Sequence, residues 1–447
     1  MPDTIRGFLD TAAEQIRWNK ARKPLLDELS THLLEQKDAC MAEGMTPEEA
    51  EWEALRQMGD PVVIGSELDR IHRPRPQWGL LLTALALLIV CGFLRNLLTV
   101  PVRTDDHKLL DIMSMVLGTV CLFFGYSIDI SFVGKRIGVL LPLFFGGILI
   151  LLLPLTGRIF YISGKFWLVE RILLLFPALL AALLWSRRGR GWSGLLVSLA
   201  ALLAGLLTAV TVPSVFTFLM ILISGSVLCL FFARQDWFGI GQKWGTALTL
   251  LLTLSIGSAA LFALLPRLKY DIFPHLDPNG RGYLAFQIRK ALSCAQWVGH
   301  ANVDGWEAAT GLSFYQLVPE PEGICLPVQL ICKLGWLPFL ALMTVFGAFF
   351  LWVFWKTLGL RQLLGRTVAL AVLMTLLVQT GAGLLTALGL PVFTASFPLL
   401  VGNCASVVNA FLIGLALSAF RNGALPETPP FSSRNVRYRL KISLEKV

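Results

Sequence analysis

An all-α, polytopic membrane protein is the fold class that this 447-residue sequence predicts. Three properties carry the prediction: composition, run length and charge placement. Hydrophobic residues make up 55% of the chain and charged residues 15%, and the mean hydropathy is +0.68. Soluble domains carry roughly 25% charged residues, so too few charges are present to cover a water-facing surface. Apolar runs of about 20 residues recur along the chain, each long enough as a helix to cross a bilayer. The formal net charge is +9, but Lys and Arg collect in short loops and tails beside those runs. That is a topology signal, and nucleic acid is not an expected partner.

Residues 1–75 read as a separate cytoplasmic helical module with no early apolar core of the signal-peptide kind. Leu25, Leu29 and Leu33 fall at i, i+4, i+8 and mark one apolar stripe of a helix after Pro24. Thr46-Pro47-Glu48-Glu49 has the form of a helix start, with Thr46 as cap, Pro47 in the first turn and Glu49 reaching back. That helix is expected to stop at Gly59, and Asp60-Pro61 to start another ending near Leu68. The module packs on itself or the membrane domain, or docks a cytoplasmic partner, and the two readings are compatible.

The membrane domain is expected over 78–421, with about ten spans near 78–100, 109–128, 137–156, 168–185, 193–212, 214–233, 245–265, 336–355, 367–390 and 396–420. An even number of spans places both termini on one side. Lys135-Arg136, Arg187-Arg188, Arg190, Arg234, Lys243, Lys356, Arg361, Arg366 and the tail cations all fall on that side, which the positive-inside rule makes cytoplasmic. Arg103, Lys108, Arg158 and Lys165 run against the bias and are partly offset by Asp105, Asp106 and Glu170. Asp111 and Asp129 stand at span ends as boundary charges. The basic tail, 422–447, is expected to be cytoplasmic and to touch anionic headgroups.

One polar stretch, 266–336, interrupts the second half and is expected to be a long extracytoplasmic loop after the seventh span. Long loops on rigid scaffolds are where binding and catalysis concentrate. Within it, Gly282 to Gly299 reads as an amphipathic helix with Leu284, Ile288, Leu292 and Ala295 on one face and Arg289 and Lys290 off it. The eight cysteines form no CxxC pair or His/Cys cluster, so no metal is expected. Cys294, Cys325 and Cys332 lie in or beside the loop, where a disulfide is open but unforced.

Two resemblances follow from particular residues. Glu28-Leu29 with His32, then Gly44, Glu49-Ala50 and Met58-Gly59-Asp60-Pro61, resemble the permease prefix domain that precedes several bacterial membrane proteins. Further on, Asp277-Pro278 followed by Gly282-Tyr283 and Gln287 is similar to a loop opening in which D-P precedes G-Y-Q. Phe166 and Glu170 match the ends of an F-Q-P-S-E segment, Pro213-Ser214 a Q-P-D/S, and Ser396-Phe397-Pro398-Leu399 a P-L-P-F. Val318-Pro319-Glu320 through Leu334-Gly335-Trp336 aligns without gaps to V-P-E-x-H-x-D-F…E-E-L-G-F. In order and spacing, these pieces resemble the SEDS family (shape, elongation, division and sporulation), the FtsW/RodA/SpoVE-type cell-wall proteins. The resemblance implies ten helices, a long outer loop and polymerisation of lipid II, an undecaprenyl-linked precursor, beside a class B penicillin-binding transpeptidase. It implies a multi-pass protein of the bacterial plasma membrane acting in division, shape maintenance or sporulation, with no cofactor.

The departures bear on catalysis. Ile324 occupies the family's catalytic Asp position, Glu322 its His position, and Cys332-Lys333 its paired acids. Glycosyl transfer onto a hydroxyl needs a base within about 3 Å of that proton, and isoleucine accepts none. Two residues are about 200° apart on a helix, so Glu322 replaces the missing carboxylate only in an extended segment, where it shares Ile324's face. Glu322 and Glu320 are thus the candidate catalytic residues. Arg267, Arg281, Gln287, Glu320 and Glu170 are candidate substrate contacts, Arg for pyrophosphate and Glu for sugar hydroxyls. Interfacial pairing with ordinary headgroups is the competing reading of each. Three functions stay open: a peptidoglycan glycosyltransferase, a non-catalytic scaffold or transpeptidase partner, and a permease of a lipid-linked solute.

Overall fold

The computed structural model describes residues 4–73, 76–99, 105–153, 162–212, 214–302, 325–360, 362–392, 397–399 and 404–421. Among the described residues every regular element is a helix. Four come first: α1 (Ile5–Gln15), α2 (Asn19–Ala42), α3 (Pro47–Met58) and α4 (Pro61–His72). The α3 start is a capping box: Thr46 Oγ1 accepts from the Glu49 amide, and the Glu49 carboxylate accepts from the Thr46 amide at 3.1 Å. Asp60 caps α4 by accepting from the Val62 amide at 2.9 Å. α2 begins upstream of Pro24, because Ile16, Ala21 and Leu25 bury together and carry the helix back. Phe8, Ala12, Leu29, Leu33 and Leu55 form a second small core across α1, α2 and α3. Glu51 ties the same three helices, pairing with Lys37 and accepting from the Ile5 amide at 3.1 Å.

The remaining helices are α5 (Trp78–Thr99), α6 (Asp105–Ser127), α7 (Ile130–Leu152), α8 (Ile162–Leu173), α9 (Phe176–Ser186), α10 (Gly191–Val210), α11 (Val215–Arg234) and α12 (Gln242–Ile272). After a single 3-10 turn (Pro274–Leu276) come α13 (Tyr283–Ser293), α14 (Leu326–Leu334), α15 (Trp336–Leu358), α16 (Leu363–Ala387) and α17 (Cys404–Arg421). Among the described residues eight stretches are long and apolar enough to cross a membrane, and α6 and α17 add two shorter ones, Ile112–Ser127 and Ser406–Arg421. These ten stretches follow the expected order. The fourth, Leu168–Ser186, is broken between α8 and α9. Pro177, at the start of α9, has no N–H to return and its ring crowds the preceding turn.

Boundaries shift for local reasons. α7 starts at Ile130 because Asp129 caps it, accepting from the Ser131 amide at 3.1 Å. α12 continues six residues beyond Pro266, so the polar stretch opens later than its composition suggests. α17 starts at Cys404, after Pro398 and Leu399 have made a turn.

α6 and α17 meet backbone to backbone. A Cβ on Gly414 would lie 2.2 Å from Leu122 O, and one on Gly125 2.4 Å from Phe411 O, so only glycine permits this approach. α16 and α17 are joined by a buried amide pair in which Gln379 Nε2 donates to Asn409 Oδ1 (3.0 Å) and Asn409 Nδ2 donates back to Oε1 (2.9 Å).

Side-chain contacts sort the helix termini into two ends. At one, Gly79 lies against Trp352, Gln362 Nε2 donates to Ser131 Oγ (3.4 Å), and Arg421 Nη2 donates to Ser127 O (3.3 Å). The start of α5 and the end of α17 therefore share an end of the bundle. At the opposite end Lys333 Nζ donates to Leu98 O, and Arg289 Nε donates to Gly389 O at 3.0 Å.

Candidate functional site

The second end of the bundle carries the described part of the polar stretch. Beyond α12, Asp277 organises a turn: its carbonyl accepts from the Gly282 amide (3.1 Å), and its carboxylate accepts from the Arg281 amide (3.1 Å). Gly282 then starts α13. The Asp-Pro…Gly-Tyr pattern is thus a folded connection with a structural duty of its own. Arg281 remains exposed, its guanidinium 5.7 Å from the ring centroid of Tyr270.

α13 is shorter than its sequence pattern, ending at Ser293, and its buried residues are Ala285, Ile288 and Ala291. Ile288 and Ala291 share a small core with Val328 and Cys332 of α14, so the apolar face meets protein rather than lipid. Arg289, on the other side, is the strongest anchor. Its guanidinium donates to Gly389 O, Ile272 O and Asp271 O, each at 3.0 Å. These carbonyls belong to the C-terminal turns of α12 and α16, where backbone acceptors lack intrahelical partners and the helix dipole favours a cation. Cys294, Cys325 and Cys332 lie around this core. Burial pushes the Cys332 thiol up to about 12, which makes it a poor nucleophile.

Two amides here are not fully satisfied among the described residues. Gln287 Oε1 on α13, and both Oε1 and Nε2 of Gln329 on α14, are buried without a hydrogen-bond partner among the described residues. Gln329 is 0% exposed. Leaving such a group unpaired costs about 1–3 kcal/mol, which a bound water or a polar guest recovers. Gln329 and Lys333 lie one turn apart on α14, and Lys333 reaches the C-terminal turn of α5 through Leu98 O. Burial lowers the Lys333 pKa. Arg95, one turn before Leu98, is only 4% exposed. Sequence reading passed over Gln329 and Arg95, although a cation inside an apolar run is itself a functional signal.

A second cluster surrounds Glu170, which is 8% exposed on α8. Ser214 Oγ donates to Glu170 Oε1 at 3.0 Å, and Thr217 Oγ1 donates to Ser214 Oγ at 3.3 Å. Ser214 is also the N-cap of α11. Two pieces of the sequence resemblance, 44 residues apart, therefore meet through one hydrogen bond. Among the described residues, no hydrogen bond or ion pair links this cluster to Arg281 or Gln287. Of the other expected contacts, position 267 lies in α12 with its side chain outside the described residues, and so do Glu320, Glu322 and Ile324 altogether.

Fold and site together define a polytopic helical membrane protein with a polar, partly unsatisfied cluster at one end of its bundle. No family model matches the chain, and no curated protein matches it. Among solved structures it is similar to a chain of a peptidoglycan synthase complex that coordinates polymerization and crosslinking. That likeness has a TM-score of 0.55 at 17% identity and covers 77% of this chain and 98% of that one. The rod shape determining protein RodA of Thermus thermophilus gives 0.47 at 18% identity over 78% and 97%, and an aspartate-to-alanine mutant of that protein 0.48 at 17% over 78% and 98%. At these identities the likeness establishes the fold: the chain has the fold of that synthase-complex chain, traced over nearly its whole length.

Proposed function

We propose that the chain is a SEDS-type membrane protein of peptidoglycan synthesis in the bacterial plasma membrane. In this reading it binds lipid II, or a related undecaprenyl-linked precursor, at the α13–α14 end of the bundle, facing outward. Both termini are cytoplasmic, with a permease-prefix-like module at 1–75, the membrane domain at 78–421 and the basic tail at 422–447. The observation that carries the reading is the fold likeness to the synthase-complex chain over 98% of its length. The chemistry supports it: Arg267 and Arg281 suit a pyrophosphate, and the unpaired amides of Gln287 and Gln329 suit sugar hydroxyls and N-acetyl groups.

Ile324 supplies no base, so the function proposed is binding of the precursor in partnership with a class B penicillin-binding transpeptidase, not polymerisation by a carboxylate at that position. Purified protein in nanodiscs, with and without such a transpeptidase, is incubated with labelled lipid II. Saturable binding that weakens about tenfold in Gln329→Leu, the equivalent of about 1.4 kcal/mol, with no glycan polymer, is the expected outcome. Retention no greater than on bare nanodiscs sinks the binding role. Polymer that disappears in Glu322→Ala or Glu320→Ala reassigns the protein as a glycosyltransferase.

A further inference from the structure

The first end of the bundle presents a surface that the proposed function leaves unused. On α3 and the turn before it, Met45, Glu48, Glu49, Trp52 and Glu53 line a shallow, open groove along one helix face. Its floor is apolar and open to water, with Trp52 60% and Met45 37% exposed. Its rim is acidic. Arg56 offsets part of that charge, pairing with Glu53 at 3.0 Å and lying 5.6 Å from the Trp52 ring centroid. Glu48 and Glu49 leave the rim net negative. A large aromatic left in water beside surplus carboxylates suits a ligand that is both apolar and cationic.

The chain carries such a segment. Val436, Tyr438, Leu440 and Ile442 alternate with Arg437, Arg439 and Lys441, so the sequence after Arg434 offers apolar side chains for Trp52 and Met45 and cations for Glu48, Glu49 and Glu53. Its tether is suitable. α17 ends at Arg421, at the bundle end from which α5 and hence the N-terminal helices depart. Arg434 follows Arg421 by thirteen residues, a reach of at most roughly 45 Å. Attachment within one chain raises the local concentration of the segment to the millimolar range, enough for a contact built from modest pairs.

We propose that residues 434–447 dock in the Met45–Trp52 groove of the same chain, holding the N-terminal helices against the exit of the last span. The test places p-benzoylphenylalanine at position 45 of the full-length protein in nanodiscs containing anionic lipid. After illumination, cross-linked peptides are mapped by mass spectrometry, with isotopically mixed copies separating links within a chain from links between chains. The expected result is an intrachain link to 434–447. Combined Arg437→Glu, Arg439→Glu and Lys441→Glu is expected to lower its yield about tenfold, or about 1.4 kcal/mol. Adding Glu48→Lys and Glu53→Lys in that background is expected to restore it, with unchanged thermal unfolding showing that each variant is folded. Links from position 45 only to lipid, only to a second copy, or to no part of the tail overturn the proposal. So does a yield that ignores the charge reversal.

Discussion

The two ends of the bundle lean on different partners for the same residue types, although Arg421 at the first end also donates to Ser127 O and Arg281 at the second also lies beside the Tyr270 ring. At the end shared by the start of α5 and the end of α17, cations lie over aromatic rings: Arg136 over Phe132 (5.4 Å), Arg188 over Trp237 (4.6 Å) and Arg421 over Tyr126 (4.9 Å). At the α13–α14 end, Arg289 and Lys333 donate to backbone carbonyls in the last turns of α12, α16 and α5. A ring face tolerates a hydrated guanidinium, so the first arrangement marks a water interface and adds little stability. A helix terminus binds a cation that has been drawn into the protein, so the second arrangement holds structure together. Counting cations by side reads orientation from both ends alike, but only partners distinguish a boundary charge from a fastener.

That contrast can be broken at four places. The largest effect is expected at Arg289→Ala, which removes three charge-assisted bonds and lowers stability by about 3 kcal/mol, read from thermal unfolding in micelles. Arg289→Lys recovers less than half, because an ammonium cannot span three carbonyls as a planar fork does. Ser214→Ala comes next: it strips the buried Glu170 of its hydroxyl donor and costs about 1–3 kcal/mol by the same measurement. At the opposite end Arg136→Ala loses its ring contact with Phe132, about 0.5–1 kcal/mol. Lys333 gives the smallest signal, a slope with pH. Its folded pKa is lowered by burial, so between that value and its unfolded value of about 10.4 the unfolded chain binds more protons and stability rises with pH. Lys333→Met is expected to flatten the slope in unfolding curves taken across the alkaline range.

Features built from neighbouring residues were legible in the sequence. The apolar runs, the Thr46–Glu49 capping box and the buried Leu25, Leu29 and Leu33 all answer to local spacing or composition. Features built from distant partners were not. The three acceptors of Arg289 lie 17, 18 and 100 residues away, and nothing in its own helical stretch separates it from Lys290, its exposed neighbour. Glu170 reads as an interfacial acid until Ser214 arrives from the start of another helix. The turn at Asp277 shows a third case. Its motif was visible, but its carboxylate serves the fold locally, a role that resemblance alone does not separate from ligand contact.

The glycine contact between α6 and α17 bears on how the chain enters its membrane. These helices, Asp105–Ser127 and Cys404–Arg421, run 23 and 18 residues. As helices they extend about 35 and 27 Å. Each has its backbone laid against the other's at Gly125 and Gly414. The second membrane helix to leave the ribosome thus finds its mate only when the last one emerges. Contact at this seam is closed by the final helix, and a chain cut before Cys404 leaves the Gly125 strip of α6 without the backbone it packs on.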